Sequence, residues 1–204
     1  QISSGGDFRW ATQFDGPGDD EATALVADEN GHLLVAGVFA SNCDFDPGPG
    51  GSVLDVNAGN GGNNFVVSLT ATGGFRWVRQ YKAFVRSVAF DSTGSALIGG
   101  TFYGQMEVDP TNPANKLLSA NYGSAAFVLK LGPGGAFSWA RHIGGLSDSY
   151  GGRASGLSVA VDSEDNILLG GYFAASVGFD SGVSGSVLNS RGQTDAFLVK
   201  WSLD

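Results

Sequence analysis

The chain has 204 residues, which is long enough to bury a sizeable hydrophobic core. Its 20 acidic residues outnumber its 11 basic residues and give a formal net charge of −9, which argues against a nucleic acid or an anionic membrane surface as partner. A single cysteine, Cys43, excludes an internal disulfide, and no apolar run is long enough to span a membrane.

The first predicted element is a strand at residues 8–14, FRWATQF, whose large aromatic side chains share one face. The pattern returns as FRWVRQY at residues 75–81 and as FSWARHI at residues 137–143. This face predicts burial against a neighbouring sheet, which we favour over sugar stacking by the tryptophans. The polar position on the same face, held by Arg79 and Arg141, predicts a bridge to carboxylates of the next unit.

Two strands joined by a short turn follow at residues 23–39, and the same arrangement returns at 86–102 and 157–173. In each copy the first strand ends in an aspartate and the turn carries Gly or Asn, which predicts an antiparallel hairpin. We expect these aspartates to cap their turns rather than to bind a metal; they are Asp28, Asp91 and Asp162. Glycine inside the second strand indicates a bulge or the close approach of another backbone, at Gly37, Gly99, Gly100, Gly170 and Gly171.

An acidic loop at residues 42–51, NCDFDPGPGG, is the best candidate for metal chemistry. Asp44 and Asp46 stand two positions apart and offer oxygen ligands of the kind that calcium prefers. The later copies place acidic residues nearby in the corresponding loops, namely Glu107, Asp109 and Asp180. We favour the alternative in which the recurring aspartate caps the turn that leaves the second strand, and no other cofactor is indicated.

A third strand led by an aromatic residue follows at residues 64–69, 126–131 and 196–201. No segment has apolar residues at helical spacing over three turns, so the sequence predicts an all-β protein. Repeated units of four antiparallel strands are typical of β-propeller blades, and propellers close with about four to eight blades. We therefore predict one partial β-propeller domain over residues 1–204 that belongs to a larger ring, with three four-stranded repeats at about 1–67, 68–129 and 130–204.

These motifs resemble the bacterial seven-bladed β-propeller repeat family that is labelled SBBP. Its first two strands are similar to SVAVDSEDNILLGGYF at residues 158–173. Its other two strands are similar to TDAFLVKW at residues 194–201 and GGAFSWARHIGG at residues 134–145, and DFDPGPG at residues 44–50 is frequent in related repeats. The resemblance implies propeller blades from a large surface or secreted protein, and it implies no specific activity.

The two ends of the chain carry complementary patterns. Residues 8–14 form a strand of the fourth type, and the last repeat ends with a strand of the third type at residues 196–201. Either the chain is a piece of a longer repeat array, or residues 8–14 complete the last blade, within the chain or in a partner chain. Two copies would then close a six-bladed ring as a homo-oligomer.

Groups suited to catalysis are sparse. His32 and His142 do not recur between copies, and Cys43 has no histidine nearby in the sequence to form a thiolate pair. No nucleophile elbow, phosphate loop or zinc motif is present. Aromatic residues in the less regular loops are the first choices for the rim of a ligand site, and these are Tyr103, Tyr122 and Tyr150.

We therefore expect a non-enzymatic binding or scaffold module that presents loops to a protein or glycan partner. Abundant Gly, Asn and Ser with few Lys favours an exported bacterial protein, extracellular, on the cell surface or periplasmic. The first alternative is a propeller-based carbohydrate-active hydrolase or lyase, which a cluster of acidic residues lining one pocket would favour. The second alternative is a structural accessory subunit of a large assembly, with its loop surface buried against other chains.

Overall fold

A computed structural model describes residues 6–46, 48–56, 63–112, 114–118, 123–145, 152–179 and 186–202. The regular structure in these ranges consists of β-strands, which confirms the predicted all-β class. No helix among them is long and apolar enough to cross a membrane. In chain order the strands are β1 (Asp20–Ala27), β2 (Leu33–Phe39), β3 (Cys43–Asp44), β4 (Val53–Leu54), β5 (Asn64–Leu69), β6 (Phe75–Tyr81), β7 (Phe84–Phe90), β8 (Ala96–Tyr103), β9 (Gln105–Glu107), β10 (Lys116–Leu118), β11 (Ser124–Leu131), β12 (Phe137–Gly145), β13 (Arg153–Val161), β14 (Ile167–Ala174), β15 (Ser176–Gly178), β16 (Val187–Asn189) and β17 (Asp195–Trp201).

The strands form three larger antiparallel sheets, and the second of them includes the hairpin β15–β16, which lies in the chain between β14 and β17 of the third. The first sheet has the order β1-β2-β5-β6, the second β16-β15-β12-β11-β8-β7 and the third β13-β14-β17. Two short hairpins interrupt the chain between long strands. The hairpin β3–β4 follows β2 and precedes β5 of the first sheet, and the hairpin β9–β10 follows β8 and precedes β11 of the second. The sheet boundaries differ from the predicted repeat boundaries by one strand. Strand β6 lies within the predicted repeat at 68–129, but it pairs with β5 and so completes the first sheet.

The first two strands of each sheet are joined by the predicted aspartate turn. The backbone amide of Gly31 donates to the carbonyl of Asp28 at 3.0 Å, and Gly94 donates to Asp91 in the same way. Both glycines have a positive φ, of 78° and 75°. The third copy places Asp165 at this position with a φ of 60°, in a region that aspartate tolerates better than most residues.

A β-bulge in the first strand explains the recurring glycine in the second strand. The register shifts between Ala22 and Ala24 in β1, and the same shift recurs in β7 and β13. The bulge turns a carbonyl towards the neighbouring strand, where a Cβ at Gly100 would lie 2.1 Å from the carbonyl oxygen of Phe84. A Cβ at Gly37 or Gly171 would lie 1.9 Å from the equivalent oxygen. The predicted close approach of another backbone is confirmed at these three glycines, whereas a Cβ at Gly99 would meet the side chain of Val159 and a Cβ at Gly170 would lie 3.9 Å from its nearest neighbour, the Phe197 carbonyl oxygen.

The core is divided into clusters because the central strands are buried on both faces. Val66 of β5 packs in a cluster shared with the second sheet, around Phe102 and Phe127. Its neighbours Phe65 and Val67 pack on the opposite face with Phe39, Phe45 and Phe14. A further cluster joins the second and third sheets, and it includes Leu97, Val128, Leu169 and Phe197.

The tryptophan strand β6 packs the first sheet onto the second, as the sequence predicted, but residues 8–14 are not among the strands and Phe8, expected on the buried face, is 74% exposed. Trp77 is only 6% exposed, and its Nε1 donates to the carbonyl of Pro133 at 3.0 Å. A Cβ at Gly135 would lie 2.7 Å from the Trp77 ring, so this turn needs a residue without a side chain. Trp10 lies in the same way against Gly73 of the first sheet.

The arginine prediction needs a correction. Arg79 does bridge the first and second sheets, but its Nε donates to the carbonyl of Gly135 at 3.0 Å and not to a carboxylate. The tight glycine turn brings a backbone oxygen to the place where the sequence suggested a side chain. The Arg141 guanidinium lies 5.9 Å from the centre of the Trp139 ring of its own strand.

Candidate binding site

Two cavities open at opposite ends of the first strand of the second sheet. Strand β7 lies beside both β1 and β13, the first strands of the other two sheets. A cavity of about 480 Å³ includes Phe84, where β7 begins, and a cavity of about 730 Å³ includes Asp91, which follows its last residue. The first cavity is rich in aromatic side chains and the second in carboxylates.

The first cavity, here named the aromatic cleft, lies between the first and second sheets. Its volume falls within the range of about 300–1,000 Å³ that is usual for small-ligand pockets. Strands β2 and β5 contribute one wall, and β7 and β8 contribute the other. The lining residues that bear on its chemistry are Asp19, Asn63, Lys82, Phe84, Phe102 and Tyr103.

Two exposed aromatic rings form the rim of the aromatic cleft. Phe84 begins β7 and pairs with Thr101, and Tyr103 stands two residues further along β8, so both side chains lie on one face of the sheet. Their ring centres are 6.0 Å apart at an angle of 82°. Tyr103 is 58% exposed and Phe84 is 49% exposed, so about half of this aromatic surface faces solvent. We name this pair the aromatic ridge.

The walls of the cleft are held at a fixed separation. The Asn64 Oδ1 atom, in the first sheet, accepts a hydrogen bond of 3.1 Å from the backbone amide of Val85 in the second sheet, and both groups are buried. Phe39 and Phe102 are buried beneath the opening. The cleft is therefore formed before any ligand binds.

Three polar side chains in the cleft are available to a ligand. Among the residues that the structure describes, Asp19, Asn63 and Lys82 have side chains without a hydrogen-bond or ion-pair partner. They offer an acceptor, an amide and an ammonium donor beside the exposed ring of Tyr103. This combination would suit an amphipathic ligand, which has both an apolar face and polar groups.

A second, smaller cleft adjoins the aromatic ridge on its other side. It has a volume of about 120 Å³ and lies between the second and third sheets. Leu157 is 51% exposed and Tyr172 is 44% exposed here, and the Arg86 guanidinium lies 5.7 Å from the centre of the Phe84 ring. The aromatic ridge is thus the middle of a longer surface that combines exposed aromatic rings with polar side chains and ends at Tyr172.

The cavity at the opposite end of β7 contains the recurring turn aspartates. Its lining includes Asp28, Glu29, Asp91, Asp162 and Asp165, and no lysine, arginine or histidine among the described residues. Every recurring aspartate is already engaged by its own turn. The Asp91 Oδ1 atom accepts the amides of Thr93 and Ser95 at 2.9 Å each, and the equivalent Oδ1 atoms accept the amides of His32, Glu164 and Asn166. The predicted capping role is confirmed.

A histidine or lysine side chain contacts each of these same aspartates. Asp28 pairs with the His32 Nδ1 atom at 2.8 Å, Asp91 with the Lys130 Nζ atom at 2.6 Å and Asp162 with the Lys200 Nζ atom at 2.7 Å. Burial acts to raise the pKa of Asp28 and Asp91, but hydrogen bonds outweigh it and both pKa values lie below the usual range. Hydrogen bonds from Lys200 and Asn166 lower the pKa of Asp162. A general acid in glycoside hydrolysis needs a raised pKa, so these three carboxyls do not suit that role.

The residues considered for calcium lie in two separate hairpins. The Asp44 Oδ1 atom accepts the amides of Asp46 at 3.0 Å and Ser52 at 2.6 Å, and these hydrogen bonds lower the pKa of Asp44. In the other hairpin, Glu107 lies in β9 and Asp109 follows it, where its carboxylate accepts hydrogen bonds from Thr111 and Asn115. The described residues contain no group of three acidic, histidine or cysteine side chains able to hold a metal. Asp180 lies outside the described residues, and calcium binding stays the less favoured of the two hypotheses.

Of the three tyrosines predicted for a ligand rim, the structure places Tyr103 on the aromatic cleft. Tyr122 and Tyr150 lie outside the described residues. Phe84 and Tyr172 were missed by the sequence reasoning. The sequence did carry a signal for Phe84. The carbonyl that approaches the strand glycine belongs to Glu21 in the first sheet, Phe84 in the second and Ser155 in the third, so Phe84 is an aromatic residue at a position where the other copies have polar residues.

Neither the cysteine nor the histidines form a nucleophilic pair. Cys43 is buried, and burial together with the carboxylates of Asp20 and Asp44 raises its pKa to about 12, so the thiol stays protonated. Burial lowers the pKa of His142, whose ring packs against Phe102 at 6.0 Å. His32 is held by Asp28 in a turn.

No protein-family model and no curated protein matches this sequence. The resemblance to SBBP repeats therefore stays a prediction.

Proposed function

We propose that the chain is a non-enzymatic binding module made of three β-propeller blades that belong to a larger ring. The motifs of these blades resemble SBBP repeats. The order of strands supports this proposal, because the first sheet and the β7-β8-β11-β12 part of the second have the same succession. The bulge, the aspartate turn and the glycine contact recur in all three sheets. Because fold alone does not determine function, the function is inferred from the residues of the binding site.

The aromatic cleft is the proposed binding site, and its partner is a protein or a glycan. The observation that carries the proposal is the aromatic ridge, where Phe84 and Tyr103 stay half-exposed at the rim of a preformed cleft. Exposed aromatic residues beside a cavity mark interaction surfaces more often than isolated exposed residues do. Because the chain is rich in Gly, Asn and Ser and poor in Lys, we propose that the module is exported from the bacterial cytoplasm and lies outside the cell, on its surface or in the periplasm.

A paired screen tests this function. The wild-type chain and the Tyr103→Ala variant are both applied to a glycan array and to a peptide-display library. We expect binding that depends on Tyr103 in one of these two classes. Phe8→Ala removes an aromatic residue that is 74% exposed and does not line the cleft, so it is the matched control. Binding that is equal in all three proteins would remove the aromatic cleft as the site.

A carbohydrate-active hydrolase or lyase is the second candidate, and the acidic cavity is the observation in its favour. Glu29 is an exposed carboxylate of that cavity and forms no ion pair with a described residue, unlike Asp28, Asp91 and Asp162. The test is hydrolysis of a panel of chromogenic glycosides by the wild type and by Glu29→Gln. We expect no hydrolysis above background from either protein. Hydrolysis by the wild type that is lost in Glu29→Gln would favour the hydrolase or lyase.

The outer edge of β17 bears on the larger assembly. Strand β17 pairs with β14 on one side and has no strand on the other within the described ranges, and Leu198 on it is strongly exposed. We propose that a strand of the β6 type covers this edge, in a homo-oligomer or in a longer repeat array, which would also suit a structural accessory subunit. Light scattering of the purified 204-residue chain separates a defined dimer from a monomer with an open edge.

A further inference from the structure

The chemistry of the aromatic cleft indicates what class of ligand it takes. We infer that the ligand is a neutral oligosaccharide, with one sugar ring stacked on Tyr103 at the aromatic cleft and a further ring reaching Tyr172 across the aromatic ridge. This inference rests on the proposed binding function and names the ligand class for the same site.

The polar groups of the cleft match sugar hydroxyls and carry no net charge. Asp19 and Lys82 are the acidic and basic side chains of its lining, and their charges offset each other. Neither has a partner within the described part of the chain, and the same holds for the Asn63 side chain. A carboxylate, an amide and an ammonium group together provide acceptors and donors for several hydroxyls. A strongly anionic ligand would be repelled by the Asp19 carboxylate, and a strongly cationic ligand would be repelled by the Lys82 ammonium group.

The exposed rings supply the apolar part of sugar recognition. The C–H face of a pyranose ring is apolar, whereas its edge carries the hydroxyl groups, so a ring that stacks on Tyr103 turns its hydroxyls towards the side chains around the cleft. Tyrosine suits such a position, because it combines a large apolar body with a polar tip. The half-exposed state of Phe84 and Tyr103 leaves their surfaces free for this contact.

The backbone around the cleft argues against an extended peptide. Peptides often bind by adding a strand to a free sheet edge. The walls contain β2, which is paired with both β1 and β5, and β8, which is paired with both β7 and β11. Strand β5 is likewise paired on both sides, with β2 and β6. Strand β7 is the edge strand of the second sheet, but it contributes only Phe84 to the cleft, so recognition here goes mainly through side chains.

The second cleft extends the same surface beyond a single sugar. It shares Phe84 and Tyr103 with the aromatic cleft and adds Arg86, Ser155 and Tyr172. Its volume of about 120 Å³ is too small to enclose a ligand of the usual pocket size, so a sugar would lie over Tyr172 and not inside a pocket. The ligand is therefore longer than a monosaccharide.

Calorimetric titration with neutral oligosaccharides tests the inference. The probes are gluco-, manno- and galacto-configured series from the monosaccharide to the hexasaccharide, titrated into the full chain. We expect affinity to rise with length in one series, and Tyr103→Ala to lower it about tenfold or more, as loss of a central aromatic anchor does. Tyr172→Ala should weaken the hexasaccharide but not the disaccharide. Tyr103→Phe keeps the ring and should bind, and Phe8→Ala should bind as the wild type does.

The two levels of the proposal fail separately. If no neutral oligosaccharide binds while peptides selected by display bind in a Tyr103-dependent manner, the saccharide inference is overturned and the binding function stands. If neither class gives Tyr103-dependent binding, both are overturned. Thermal melting of each variant shows that it is folded, which is expected because the substituted side chains are largely exposed.

Discussion

Replacement of Trp77 by alanine should be the most damaging single change to the contact between the first and second sheets. The side chain is 6% exposed, packs over the turn at Gly135 and donates a hydrogen bond of 3.0 Å to the Pro133 carbonyl. Buried Trp→Ala changes cost about 3–5 kcal/mol, a range that covers the cavity left by the indole. In a chain of this size each kcal/mol shifts the midpoint of thermal unfolding by about 2–4 °C. We therefore expect Tm to fall by about 6–20 °C.

Urea unfolding followed by tryptophan fluorescence and circular dichroism measures this change, with the free energy of unfolding taken from both signals. Phe8→Ala is the control, because Phe8 is strongly exposed and surface substitutions usually change the free energy by less than about 0.5 kcal/mol. A loss below about 1 kcal/mol in Trp77→Ala would refute the assignment of the tryptophan strand to the interface between sheets.

Three further perturbations test other parts of the structure. Gly100→Ala should prevent the native register of β7 and β8, because its Cβ would lie 2.1 Å from the Phe84 carbonyl oxygen; a folded, equally stable variant in denaturant titration would contradict the bulge. Because the pKa values of Asp91 and Asp162 are lowered in the folded state, their stabilisation is present above the ordinary aspartate pKa of about 3.9 and is lost as the pH falls through the folded values. The free energy of unfolding should thus decrease below about pH 5, less steeply in Asp162→Asn, and parallel wild-type and variant profiles would count against the linkage. Chelation of calcium should leave Tm unchanged, because the Asp44 Oδ1 atom already accepts two backbone amides; a drop in Tm would instead establish a calcium site.

The local structure could be predicted from the sequence because it follows from alternation and turn chemistry. The strands around Asp91 and Asp162, and the close backbone contact at Gly100, are determined by residues near one another in the chain. The acceptor of Arg79 could not be predicted, since the carbonyl of Gly135 reaches it only after two sheets pack together.

The candidate site was predicted only in part for the same reason. Tyr103 was selected as an aromatic residue in an irregular region, but the aromatic cleft exists because Phe84 and Tyr103 of one sheet meet Asn63 and Asp19 from the neighbouring one. Periodicity within one repeat does not specify which side chains meet across two sheets. Comparison between repeats did carry information, because Phe84 is aromatic where the other copies have Glu21 and Ser155.

The most direct test of the aromatic cleft as the binding site is an NMR titration of the full chain with cellohexaose, mannohexaose and galactohexaose in turn. Backbone and aromatic-ring resonances report every surface at once. The proposal predicts that one of these hexasaccharides shifts the resonances of Tyr103, Phe84 and Tyr172 while those of Phe8 stay unchanged. Shifts centred instead on the turns at Asp28 and Asp91 would place the ligand in the acidic cavity and contradict the proposal.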